Sequence, residues 1–120
     1  MGSDHEKLLV WQKSMVLITE IYQSSRLFPK EEIYGLTSQM RRSAVSIASN
    51  IAEGKGRYSS GEFRQFLIQA RGSLLELETQ IQIAANLGYL KIKKADDLKG
   101  KAVEIGRMLN GLIDAVGRKK

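Results

Sequence analysis

Five polar residues, Gln39, Arg42, Ser46, Asn50 and Glu53, recur at steps of three and four. On a helix that spacing places them along one face, beside an apolar line of Met40, Ala44, Ile47 and Ile51. A second polar set follows later in the chain: Arg71, Ser73, Glu76, Glu78 and Gln80. Buried polar groups need partners, so such lines are expected to hydrogen-bond across a helix pair, setting register or a subunit contact. The alternative is a ligand or catalytic pocket walled by Arg42, Asn50, Glu53 and Glu76. Glu53 and Arg57 form an i,i+4 pair in the favourable order.

Other chemistries lack their parts. A di-metal bundle site needs Glu-x-x-His on two helices, and the one histidine, His5, sits near the N-terminus. Ser-His and Cys-His catalysis fail for want of the same residue. There is no cysteine, hence neither disulfide nor thiolate site. Glu76 and Glu78 are two apart and point in different directions on a helix. Asp96 and Asp97 suit a helix N-terminus, where acid is stabilised by the dipole. Gly54-Lys55-Gly56-Arg57 lacks the spacing and the Ser/Thr of a phosphate loop and follows a helix. The expectation is a non-enzyme with no catalytic residue, no metal and no cofactor.

Charge points elsewhere. Nineteen basic residues against 13 acidic leave +6, which favours an anionic partner such as RNA or DNA. A solvated bundle surface reaches this charge as well. The candidate contacts are Arg41, Lys55, Arg57, Arg64, Lys93 and Lys94, with a basic tail at Arg118-Lys119-Lys120. Only Tyr58 and Tyr89 interleave them, so base stacking has little support. Sequence-independent phosphate contact is what remains.

These residues must be positioned by helices. Proline occurs once, at Pro29, and helical periodicity covers nearly everything else. The first helix is expected from about Leu8 to Leu27, with Leu8, Trp11, Met15, Ile18 and Tyr22 inward, stopped by Phe28-Pro29. The second runs from Leu36 to about Arg57 and is rich in Ala and Ser, which allow close helix approach. Ser59 and Glu62 read as a capping box opening the third helix, Ser60 to Leu87. Phe63, Leu67, Ala70, Leu74, Leu77, Ile81 and Ala84 are its seam, and Gly88 suits a left-handed C-terminal cap. The fourth, Lys93 to Val116, turns Ala95, Leu98, Ala102, Ile105, Leu109, Leu112 and Val116 inward. Short connections make successive helices antiparallel. The expected fold is all-α: an antiparallel up-down-up-down four-helix bundle forming one domain over 1–120, with residues 1–7 frayed.

Several apolar residues fall outside these seams. Ile68 and Leu75 are seven apart on helix three, and Val45 lies off the seam of helix two. Val16, Leu17, Ala52 and Val103 do likewise. Scattered surface apolar residues are ordinary, but repeats at seven suggest subunit contact through Val45, Ile68 and Leu75. No apolar run approaches the roughly 20 residues of a membrane span, and no secretion signal opens the chain. The expectation is a cytoplasmic protein with no membrane partner.

The sequence also resembles a known family. Leu9-Val10-Trp11-Gln12-Lys13, Phe28-Pro29, Tyr34-Gly35-Leu36-Thr37 and Gln39-Met40-Arg41-Arg42-Ser43-Ala44-Val45-Ser46-Ile47 carry the likeness. Asn50-Ile51-Ala52-Glu53-Gly54, Gly56-Arg57 and Gly72-Ser73-Leu74-Leu75-Glu76-Leu77-Glu78 continue it. These resemble the bacterial four-helix bundle proteins, or 23S ribosomal RNA intervening-sequence proteins, often labelled S23 ribosomal proteins. Ala48 stands where relatives often carry proline, which favours a straight second helix. The resemblance implies a homopentameric ring and supplies no catalytic residue. Some members are encoded inside insertions of the large-subunit ribosomal RNA gene. A distant relative, the accessory protein of diversity-generating retroelements, binds nucleic acid and a reverse transcriptase. Residues and resemblance together lead to a non-enzymatic homo-oligomer that binds nucleic acid or a ribonucleoprotein. The alternative is a protein-interaction scaffold with no nucleic-acid role.

Overall fold

The computed structural model describes residues 4–118; Lys119 and Lys120 of the basic tail lie outside them. Four helices make the fold: α1 (Leu9–Ser25), α2 (Leu36–Lys55), α3 (Ser60–Asn86) and α4 (Ile92–Gly117). Two 3-10 turns, Asp4–Lys7 and Lys30–Glu32, precede α1 and α2. No strand occurs among the described residues. Each helix packs on the next and α4 closes back on α1. Cross-helix pairs run in opposite directions along each contact, Ser46 to Ser73 and Gly54 to Phe66 for α2–α3. Lys13 to Glu104 and Glu20 to Lys94 do the same for α1–α4. The bundle is therefore antiparallel and measures 48 × 26 × 20 Å.

The connections set two different ends. One end gathers the start of α1, the α2–α3 turn and the finish of α4. The other gathers the α1–α2 and α3–α4 connections. Residues Asp4–Lys7 form a 3-10 turn: the His5 carbonyl accepts from Leu8 N at 3.0 Å and the Glu6 carbonyl from Gln12 Nε2 at 2.8 Å.

The seams of α2 and α3 face inward as their spacing requires, apart from Phe63, which is half-buried; Met40, Ala44, Ile47, Ile51, Leu67 and Leu77 are fully enclosed. α1 differs. Its core line is Val10, Ser14, Leu17 and Ile21, while Met15 and Tyr22 are exposed. Both lines on α1 repeat at three and four, so its sequence alone allows either rotation. Ser14 can face the core because its hydroxyl donates to the Val10 carbonyl at 2.7 Å, so that hydroxyl is paired inside. Leu17 thus belongs to the core and not to an outward strip. On α4 the last core positions are Leu109, Ile113 and Val116, with Leu112 half-buried.

The helix ends have local causes. Ser59 Oγ accepts from Glu62 N at 3.1 Å and opens α3. The reciprocal half of the capping box differs, because Ser59 Oγ donates to the Glu62 carboxylate rather than that carboxylate reaching back to a backbone N–H. Gly88 has φ +79°, the left-handed value that lets the chain leave α3. α2 begins under Glu32, whose Oε1 accepts from Leu36 N at 3.1 Å.

Candidate functional site

The polar lines of α2 and α3 meet. Gln39, Arg42, Ser43 and Ser46 face Ser73, Glu76 and Gln80 across a cleft of about 370 Å³. Ser46 and Ser73 share a hydrogen bond at 2.8 Å, and Asn50 Nδ2 donates to both the hydroxyl and the carbonyl of Ser46 at 2.9 Å. This links the two helices through hydroxyls and a carboxamide. Gln80 lies at the buried edge, 9% exposed, and its Oε1 has no protein partner. Arg42 turns to Ser38 on its own helix, at 3.5 Å, and forms no ion pair with Glu76 among the described residues.

Not every residue of the two polar sets reaches this cleft. Glu53 pairs with Arg57 at 3.0 Å on the surface of α2. Arg71 and Glu78 face the other way, toward α4, where Arg71 donates to Asn110 Oδ1 at 2.9 Å. Ser73, expected in the second polar set, is a buried member, and so is Ser43, which the polar line of α2 passed over; what marks Ser43 is its small size at close helix approach. Among the described residues no three His, Asp or Glu side chains gather to hold a metal ion.

The basic candidates divide between the two ends. Arg41 is fastened to α1: its Nε donates to Ser25 Oγ at 2.9 Å and its guanidinium lies 4.7 Å from the Tyr22 ring. Lys94 joins a network with Glu20, Asp97 and Lys101 that ties α1 to α4. Burial pushes the Glu20 carboxyl up, but hydrogen bonds and charge from Lys101 and Lys94 outweigh it, leaving it below its ordinary value. Lys101 is correspondingly raised, chiefly by its bond to Glu20. Arg41 and Lys94 are thus spent on packing, and Lys93 beside them is exposed.

Lys55, Arg57 and Arg64 stand together at the opposite end. Lys55 Nζ lies 5.4 Å from the centre of the Phe63 ring and the Arg57 guanidinium 4.9 Å from that of Phe66. Arg64 reaches over to Gly117 at the finish of α4, next to Arg118. Both α2 and α4 end here, so their carbonyl ends favour cations in any event.

The candidate contact residues do not share one face. Leu75, 59% exposed, borders a groove between α3 and α4 with Val103, Gly106 and Asn110. Ile68, on the same side of α3, is half-buried against the core. Val45 is four residues past Arg41 and therefore lies toward α1, on the far side of α2 from the cleft.

Comparison with known proteins fits this architecture. The family model of the 23S rRNA-intervening sequence protein matches residues 6–111. The chain belongs to that family. A 23S rRNA-intervening sequence protein is thus the context for both the cleft and the basic end, since the matched span contains the cleft residues and Lys55, Arg57 and Arg64. Among solved structures, a protein of unknown function from the S23 ribosomal protein family of Bacteroides thetaiotaomicron superposes with a TM-score of 0.81. It is 22% identical and the alignment covers 88% of this chain and 96% of that one, a likeness of fold. No curated protein matches the sequence.

Proposed function

We propose that this protein is a non-enzymatic, self-associating helical bundle of the cytoplasm that binds nucleic acid through its basic end. The observation that carries the reading is the clustering of Lys55, Arg57 and Arg64 where α2, α3 and α4 meet. Two of these cations lie over phenylalanine rings, and Arg57 is also paired with Glu53, which leaves Lys55 and Arg64 as the unpaired cations of this end among the described residues. Phosphate contact needs positioned cations and no base-reading groups. The family's description, 23S rRNA-intervening sequence protein, gives the reading a ribosomal RNA context. Self-association brings several such ends together, and an array of weak contacts on one polyanion gains strongly in avidity.

The test is binding of labelled RNA and duplex DNA across a salt series. Affinity should fall linearly on a log–log plot, and Lys55→Glu with Arg64→Glu should flatten the slope by about one for each phosphate left without its cation. An assembled wild-type protein that binds neither polymer at low salt overturns the proposal.

A further inference from the structure

We infer that the end of the bundle built from the α1–α2 and α3–α4 connections docks on an anionic lipid bilayer. The two connections are far apart in sequence but are joined in space. The Phe28 and Tyr89 rings lie 5.4 Å apart, and Tyr89 Oη donates to Glu32 Oε2 at 2.9 Å. Around this joint the chain exposes large apolar side chains: Leu27 at 88%, Tyr34 at 95% and Ile92 at 75%, with Ile33 and Leu87 at 54%. Residues this exposed are not serving the core, and a concentration of them marks an interaction surface.

Charge at this end selects the partner. Arg26, Lys30, Lys91 and Lys93 are exposed and enter no ion pair among the described residues. Of the nearby acids, Glu32 is engaged by Leu36 N and Tyr89, and Asp97 by Lys94 and Lys101. Both donors to Glu32 are neutral and leave its charge in place, so Glu31, Glu32 and Asp96 stand against four cations. Apolar side chains set among cations match a surface of anionic headgroups over an acyl interior, with Tyr34 suited to the boundary.

Protruding side chains enter a bilayer singly, so this end needs no matching surface on its partner. The contact is peripheral: no described helix is long and apolar enough to cross a membrane.

The test is co-sedimentation of the full chain with vesicles of phosphatidylcholine alone or mixed with phosphatidylglycerol, at low salt. The protein should pellet with the anionic vesicles only. Leu27→Ser, Tyr34→Ser and Ile92→Ser together should lower binding at least about tenfold, and each of Lys30→Gln, Lys91→Gln and Lys93→Gln about fivefold. All six positions are exposed, so the fold is not at stake. A Tyr34→Trp variant should shift its emission to the blue on anionic vesicles, while the wild-type emission of Trp11, at the opposite end, stays unchanged. Lys55→Glu with Arg64→Glu should leave vesicle binding intact, which separates this inference from the nucleic-acid reading. No pelleting with anionic vesicles, equal pelleting with neutral ones, or full binding by the triple serine variant overturns it. So does a change of oligomeric mass in that variant without any vesicle binding, which would assign this end to a protein contact.

Discussion

Gly54 is a point of close approach between α2 and α3, and replacing it by alanine sets two known effects against each other. Alanine in a helix is favoured over glycine by about 1 kcal/mol. Against that, a Cβ at Gly54 would sit 2.6 Å from Phe66 Cβ, 3.1 Å from Phe63 Cδ1 and 3.3 Å from the Phe63 carbonyl oxygen. Phe66 Cβ is bonded to the α3 backbone, so no rotamer change relieves the contact. The first turns of α3 must move by on the order of 1 Å, loosening Leu67 from the core; overpacking of this kind costs about 1–3 kcal/mol and more when backbone must shift. The clash wins, and Gly54→Ala should destabilise by about 1–2 kcal/mol. Gly72 is the control: it lies within α3, and a Cβ there would meet nothing within 4 Å, so Gly72→Ala should stabilise by up to about 1 kcal/mol. The assay is urea unfolding followed by circular dichroism at one fixed protein concentration, because assembly adds to apparent stability. With m of about 1–3 kcal/mol/M, the midpoint should fall by roughly 0.5–1 M for Gly54→Ala and rise for Gly72→Ala at unchanged m. A Gly54→Ala protein as stable as wild type would refute the close-approach argument.

Two further outcomes are expected. Glu20→Gln should cost about 1 kcal/mol at neutral pH, a modest figure because the lysine side chains keep 41% and 37% of their surface in contact with solvent, which screens the pair. The Glu20 carboxyl is lowered in the fold, so its contribution is complete above the ordinary carboxylate value and is lost as pH falls through the folded value. The wild-type advantage over Glu20→Gln should therefore disappear in acid unfolding curves, and a gap that persists at low pH sinks the account. Leu75→Asp places a charge on an exposed position of the α3–α4 groove. It should reduce the solution mass by light scattering while the helical spectrum stays unchanged; an unaltered mass removes Leu75 from the assembly contact.

The sequence by itself determined the helices, their order and most of the core. Period, the single proline, Ser59 and Gly88 are local signals, and helix formation and capping are local events. It also brought out the polar lines that meet in the α2–α3 cleft, because a helical face is readable from spacing. Only the tertiary structure decided which of two equally spaced lines on α1 turns inward, since that rotation is chosen by the neighbours' surfaces and not by α1. Charge behaved the same way. Arg41 and Lys94 looked as available as Lys55 and Arg64, yet packing gave the first two partners on α1. Gly54 stood out in sequence only within a glycine-rich run that fails as a phosphate loop, and in the structure it is a close contact with Phe66. The apolar end had no signal in sequence at all. Leu27 and Tyr34 are separated from Ile92 by two whole helices, and only antiparallel packing of the bundle carries both connections to the same end.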